Sequence, residues 1–106
     1  AKREEVDGIL FDSKKEAARY QDLKLLEKAG LIRDLQLQPR FALHVLDTDG
    51  HRVPIGGYRA DFTYQEKVGS EEWRERVEDA KGVRTPLYAW KRKHVMAEYG
   101  IEIKEV

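Results

Sequence analysis

The chain has 106 residues, 20 of them Lys or Arg and 20 Asp or Glu, so its formal net charge is zero at 38% charged and 41% apolar residues. That is material for one domain over 1–106 with a single modest core, too little for a two-lobed enzyme that closes on its substrate, and it excludes a polycation holding nucleic acid by bulk charge. No apolar run approaches the roughly 18 residues that cross a membrane, no leader pattern opens the chain, and with no cysteine there is neither a disulfide framework nor a thiolate metal site.

Residues 1–12 are mixed and polar and end in the apolar Ile9-Leu10-Phe11. Ser13-Lys14-Lys15-Glu16 is a capping box: the Ser13 hydroxyl accepts from the Glu16 backbone N–H, and the Glu16 side chain reaches back. It predicts a helix in which Ala17, Ala18, Leu23, Leu25, Leu26 and Ala29 recur at helical spacing and Gly30 is the stop. Leu31 to Leu37 reads as a strand, which Pro39 interrupts because it cannot donate to a ladder. Phe41 to Leu46 resumes it, Asp47-Thr48-Asp49-Gly50 is a hairpin turn, and Gly57 to Tyr64 is the return strand. There Tyr58, Ala60, Phe62 and Tyr64 share one face, and Arg59, Asp61 and Thr63 the other.

Residues 66–72 read as a charged loop, and Trp73 to Ala80 as the next strand, with Lys81 continuing the face of Val77 and Asp79. Thr85-Pro86 opens a second helix, an N-cap followed by Pro at the first helical position. Leu87, Trp90, His94 and Ala97 lie near one stripe, flanked by Tyr88, Val95 and Tyr99. Gly100 stops it, and Ile101 to Val106 alternates as a last strand. The order predicts a small α/β domain, α-β-β-β-α-β, with its middle strands in a meander and the final strand beside them. Heavy Glu, Lys and Arg use without Asn fits a protein from a hot environment.

The zero total hides a segregation. Ala80 to Ala97 holds five basic residues (Lys81, Arg84, Lys91, Arg92 and Lys93) and no acid, whereas Glu66 to Asp79 holds six acids against three basic residues. An acidic cluster for a metal beside a basic helix for phosphate suits a nucleic-acid enzyme; a solvated helix face with local ion pairs is the plainer account. In a strand, residues i and i+2 point to one side, so Asp79 and Lys81 project together. If the Asp61 strand is their neighbour, two carboxylates and an ammonium converge, the set that phosphodiester hydrolysis wants. Glu16 has two readings, a helix cap or an acid turned toward the sheet, where burial is costly without a partner such as a shared metal. His44, His51 and His94 are scattered without ligand spacing, Gly56-Gly57 lacks the pattern of a phosphate loop, and Trp73 and Trp90 read as core or interface aromatics.

Five blocks in order, Phe11-Asp12-Ser13-Lys14-Lys15-Glu16-Ala17-Ala18-Arg19-Tyr20, Leu37-Gln38-Pro39-Arg40-Phe41, Tyr58-Arg59-Ala60-Asp61-Phe62, Val77-Glu78-Asp79-Ala80-Lys81-Gly82 and Tyr99-Gly100-Ile101-Glu102-Ile103, resemble a phage-encoded family of PD-(D/E)xK nucleases. The family belongs to the restriction-endonuclease-like superfamily and is similar to archaeal-type Holliday-junction resolvases. The resemblance spans about Gly8 to Val106, with Ala60 standing where the pattern has Pro. It implies a restriction-endonuclease-like core with a mixed central sheet flanked by helices. It makes Glu16, Asp61 and Asp79 the metal-binding acids, the Ala80 carbonyl a further ligand and Lys81 the catalytic lysine. Alternation sends Glu78 to the other face, but a bulged strand would exchange it for Asp79. Lys14, Lys15, Arg84, Lys91 and Lys93 are the expected DNA backbone contacts.

The expected activity is Mg²⁺-dependent hydrolysis (Mn²⁺ substituting) of branched DNA, above all Holliday junctions, with a 5′-phosphate product. The expected form is a homodimer, since paired cuts need two sites, and the expected location is the cytoplasm, that of the host cell if phage-encoded. The alternatives are a recombination or general nuclease for flaps, single strands or duplex, and a non-catalytic DNA-binding module on the same fold.

Overall fold

The structure is a computed structural model, and it describes residues 2–80 and 85–106. Strands β1 (Glu4–Val6) and β2 (Ile9–Phe11) lead into helix α1 (Lys14–Lys28), followed by strands β3 (Ile32–Leu37), β4 (Arg40–Leu46), β5 (Arg52–Arg59), β6 (Phe62–Lys67) and β7 (Trp73–Asp79). Helix α2 (Pro86–Tyr99) and strand β8 (Ile103–Glu105) complete the chain.

Both helices begin and end where side-chain chemistry says they should. The Ser13 hydroxyl accepts the Glu16 N–H at 3.1 Å. At the other end Gly30, at φ 78°, lets Leu31 N–H reach the Leu26 carbonyl at 3.0 Å while its own N–H reaches Glu27, the paired bonds of a Schellman stop. In α2, Thr85 accepts from Tyr88 N–H at 3.1 Å, Pro86 follows the cap, and Gly100 closes at φ 64°. The capping box is only half formed, because the Glu16 side chain turns inward and is buried.

The main sheet is four-stranded in the order β3-β6-β7-β8. The first two pairings are antiparallel, and β7 pairs parallel with β8. The full order is β-β-α-β-β-β-β-β-α-β, a mixed α/β fold as expected, but only the helices and the main-sheet strands follow the expected α-β-β-β-α-β order. Three local expectations are corrected. Gly57 to Tyr64 is not one strand: it divides at Ala60-Asp61, β5 pairing with β4 in a separate two-stranded hairpin while β6 enters the main sheet. The bend is held by the Ala60 N–H on the Pro39 carbonyl at 3.1 Å and the Asp61 N–H on the Glu78 carbonyl at 3.0 Å. The polar N-terminus is itself a hairpin: Asp7 and Gly8 take φ of 54° and 75°, the two left-handed positions that a tight turn between antiparallel strands requires. The charged loop after Glu66 begins later, since β6 runs to Lys67.

The two sheet faces carry separate cores. On one, α1 buries Ala17, Tyr20 and Leu23 against Phe11, Ile32, Phe62 and Tyr64. On the other, Val95 of α2 packs with Leu43 and Tyr58 of the hairpin and with Val77 and Ile103. Within α2, then, it is Val95, with Tyr88 and Met96, that meets the core. Leu87 and Trp90 are exposed instead, and Trp73 lies beneath the Arg33 guanidinium at 4.1 Å. Among the described residues no helix is long and apolar enough to cross a membrane.

Candidate functional site

One end of the main sheet gathers the chemistry. There β3 ends, β6 begins, β7 ends and α1 starts. Gln38, at φ 52°, turns the chain out of β3 and donates its N–H to the Asp61 carbonyl at 2.8 Å. Asp61 precedes β6 and is buried, and its Oδ2 accepts the backbone N–H of Ala80, the first residue beyond β7. That bond ties the start of one strand to the end of its neighbour.

Glu16, in the first turn of α1, lies over the same end and is 4% exposed. Its Oε1 is buried without a hydrogen-bond partner. Burial pushes its pKa up first, and the neighbouring carboxylates of Asp61 and Asp12 add to that; the Gln38 amide and the Arg59 guanidinium act in the opposite sense. Arg59 is itself engaged by Asp12 at 3.0 Å. Two carboxylates crowded at a sheet end, one with an unsatisfied oxygen, fit a divalent cation of the hard, oxygen-seeking kind.

Asp79 and Glu78 diverge, as alternation requires. Glu78 faces α1, is wholly buried, and takes Arg19 through Nε at 2.7 Å and Nη2 at 2.6 Å together with the Tyr64 hydroxyl. Asp79, equally buried, faces α2 and accepts from the Tyr58 hydroxyl. Burial, then the bond to Asp79, raises the Tyr58 pKa, so the phenol stays a donor. The structure therefore brings Glu16 and Asp61 within electrostatic reach of each other and turns the Asp79 side chain toward Tyr58. Among the described residues, the one group of three ligand-type side chains with donor atoms within 4.8 Å of one another lies elsewhere: the exposed Asp47, Asp49 and His51 of the β4–β5 turn. There Asp47 Oδ1 already accepts the N–H groups of Asp49 and His51.

Of the remaining expected site residues, Lys81 and Arg84 lie outside the described residues. Lys14 and Lys15 are exposed beside Glu16, Lys93 is exposed on α2, and Lys91 is half-buried there. His94 is structural: its Nε2 lies 2.8 Å from the His44 carbonyl and 3.3 Å from Glu98. Tyr58, Arg19 and Arg59 escaped sequence reading, because each partner comes from a different element and no local spacing signals it. Gln38 alternates with Leu37, which marks a polar position but gives no sign that its amide comes to Glu16.

The fold and site thus define a mixed α/β domain with a buried carboxylate pair at the end of its main sheet. The chain belongs to the family described as protein of unknown function (DUF1064), which it matches over residues 1–105. No curated protein and no solved structure matches it.

Proposed function

We propose that this chain is a metal-dependent endodeoxyribonuclease with a restriction-endonuclease-like core, acting on branched DNA as a Holliday-junction resolvase. The carrying observation is that Glu16 and Asp61 are both buried at the sheet end where Asp79-Ala80 closes β7, with one Glu16 oxygen unsatisfied and its pKa raised. The succession α1-β3-β6-β7-α2-β8 of the two helices and the strands of the mixed main sheet supports the same reading.

In this reading Glu16 and Asp61 would hold Mg²⁺ or Mn²⁺, with Asp79 and the Ala80 carbonyl as further donors, and the ion would polarise the scissile phosphate and acidify water. Lys81 supplies the positive charge that orients the attacking water or steadies the charge developing on phosphate. Asp61 has a second task, since its bond to the Ala80 N–H fixes the strand end that carries Asp79 and Ala80. Lys14, Lys15, Lys91, Lys93 and Arg84 contact the DNA backbone. Two such sites, in a homodimer, account for paired cuts.

The test is a cleavage panel of four-way junction, flap, duplex and single strand, each with Mg²⁺, Mn²⁺ or EDTA. Junction cutting that is lost in EDTA, in Asp61→Asn and in Lys81→Ala supports the reading, and full activity in EDTA refutes the metal mechanism. Preference for another substrate in the panel makes the protein a recombination or general nuclease. The engagement of Asp79 by Tyr58 favours one further reading, a DNA-binding module that does not cut. It predicts junction binding without nicking under either metal.

A further inference from the structure

One face of α2 is left uncovered by the core. Leu87 is 60% exposed and Trp90 74%, and across from them on β5 Ile55 is 57% exposed. With Gly56, Lys91 and His94 they line an open, mainly apolar groove of about 220 Å³. No acid lines it. From residue 85 to 97 the chain carries Lys91, Arg92 and Lys93 and no acidic residue. Arg92 donates to the Ile103 carbonyl at 2.8 Å and His94 lies against the His44 carbonyl, and among the described residues Lys91 is the cation that lines the groove.

The charge selects the occupant. A second copy docked by two-fold symmetry would meet the same patch, bringing cationic helix against cationic helix in a desolvated contact. A nucleotide is complementary instead. Its base has flat apolar faces for the indole, and its phosphate is an anion for the lysine. In continuous duplex the base faces are already stacked on one another, so the groove suits a base that is unpaired.

We propose that Trp90 is a stacking platform for an unpaired base of DNA, with Leu87 and Ile55 as walls and Lys91 on the adjoining phosphate. The inference rests on the nuclease reading for its ligand class and deepens it: the bound substrate presents an unpaired base, either from a flap or from a base pair opened at the branch point of a junction.

The experiment uses the full chain with Trp73→Phe, which leaves Trp90 as its sole tryptophan. Oligothymidylate and a matched duplex are titrated in Ca²⁺ buffer while Trp90 emission and affinity are followed. The expected result is quenching by the single strand and not by duplex. Trp90→Ala should bind the single strand about tenfold more weakly, Trp90→Phe should keep most of the affinity, and duplex binding should be unchanged in both. Trp90 is so exposed that neither variant threatens folding.

Equal single-strand affinity in Trp90→Ala, without quenching in the parent, overturns the inference, as does failure to bind the single strand at all. Sedimentation that falls from dimer to monomer in Trp90→Ala, with DNA affinity unchanged, gives the face to a second copy and also overturns it. If quenching persists while no DNA is cut in Mg²⁺ or Mn²⁺, the nuclease reading fails and the stacking platform stands.

Discussion

Arg19 of α1 grips the fully buried carboxylate of Glu78 on β7 through two nitrogen–oxygen contacts of 2.7 and 2.6 Å. The pair joins the helix that carries Glu16 to the strand that ends in Asp79. It also fixes the role of Glu78, whose two oxygens are occupied by Arg19 and Tyr64. Removing one member strands the other charge in the interior, so Arg19→Ala or Glu78→Gln should destabilise the fold by about 3–5 kcal/mol. Urea denaturation measures this. A loss under about 1 kcal/mol would show that the pair is not held in the folded protein.

Glu16 should behave in the opposite way. Its pKa is raised in the folded state, so its stability contribution is present at low pH and is lost as pH rises above the ordinary carboxylate value of 4.5 through the raised one. Glu16→Gln should therefore leave metal-free stability at neutral pH equal or improved, and should flatten that decline. If Glu16 holds a metal, Mg²⁺ or Mn²⁺ raises Tm in the parent and much less in the variant. A thermal-shift series over pH and metal concentration reads both effects. A variant that is less stable at neutral pH and keeps its metal response returns Glu16 to a structural role.

Tyr58→Phe removes the hydroxyl that Asp79 accepts from in the interior. The expected cost is about 1–3 kcal/mol, because a buried carboxylate loses a donor. The same variant should alter metal affinity if Asp79 is a ligand. Denaturation together with calorimetric Mn²⁺ titration separates the two effects, and a variant unchanged in both would dissociate Tyr58 from Asp79.

Glu98 ties the end of α2 to the hairpin. It accepts the His44 N–H at 2.6 Å and faces His44 Nδ1 at 2.7 Å and Arg52 at 2.8 Å. Chiefly through the backbone bond from His44, its pKa is lowered to about 2. A depressed carboxylate stabilises above its unfolded value and loses that contribution as pH falls, here between 4.5 and about 2. Glu98→Gln should lower Tm at neutral pH and remove its share of the acid-side decline. Circular dichroism melts across that range test it, and identical acid profiles in parent and variant would contradict the assignment.

Ser13, Gly30, Thr85-Pro86 and Gly100 announced both helices, because caps and stops are local chemistry satisfied within a few residues. For the same reason the alternation in β7 correctly sent Glu78 and Asp79 to opposite faces. The Asp7-Gly8 turn was as local, and its dipeptide was present to be read.

What tertiary structure alone decided is where the long-range partners lie. The run Gly57 to Tyr64 alternates without a flaw, yet it serves two sheets, because Pro39 and Glu78 supply the carbonyls that bend it at Ala60-Asp61. Composition and spacing named Glu16 and Asp61 as acids of interest. Only packing buried both, brought Asp61 near enough to raise the Glu16 pKa and left one Glu16 oxygen unsatisfied, because burial depends on elements far apart in the chain. Net charge zero was likewise a sum over the sequence; folding set a cationic, apolar groove on α2 apart from the buried acids at the sheet end.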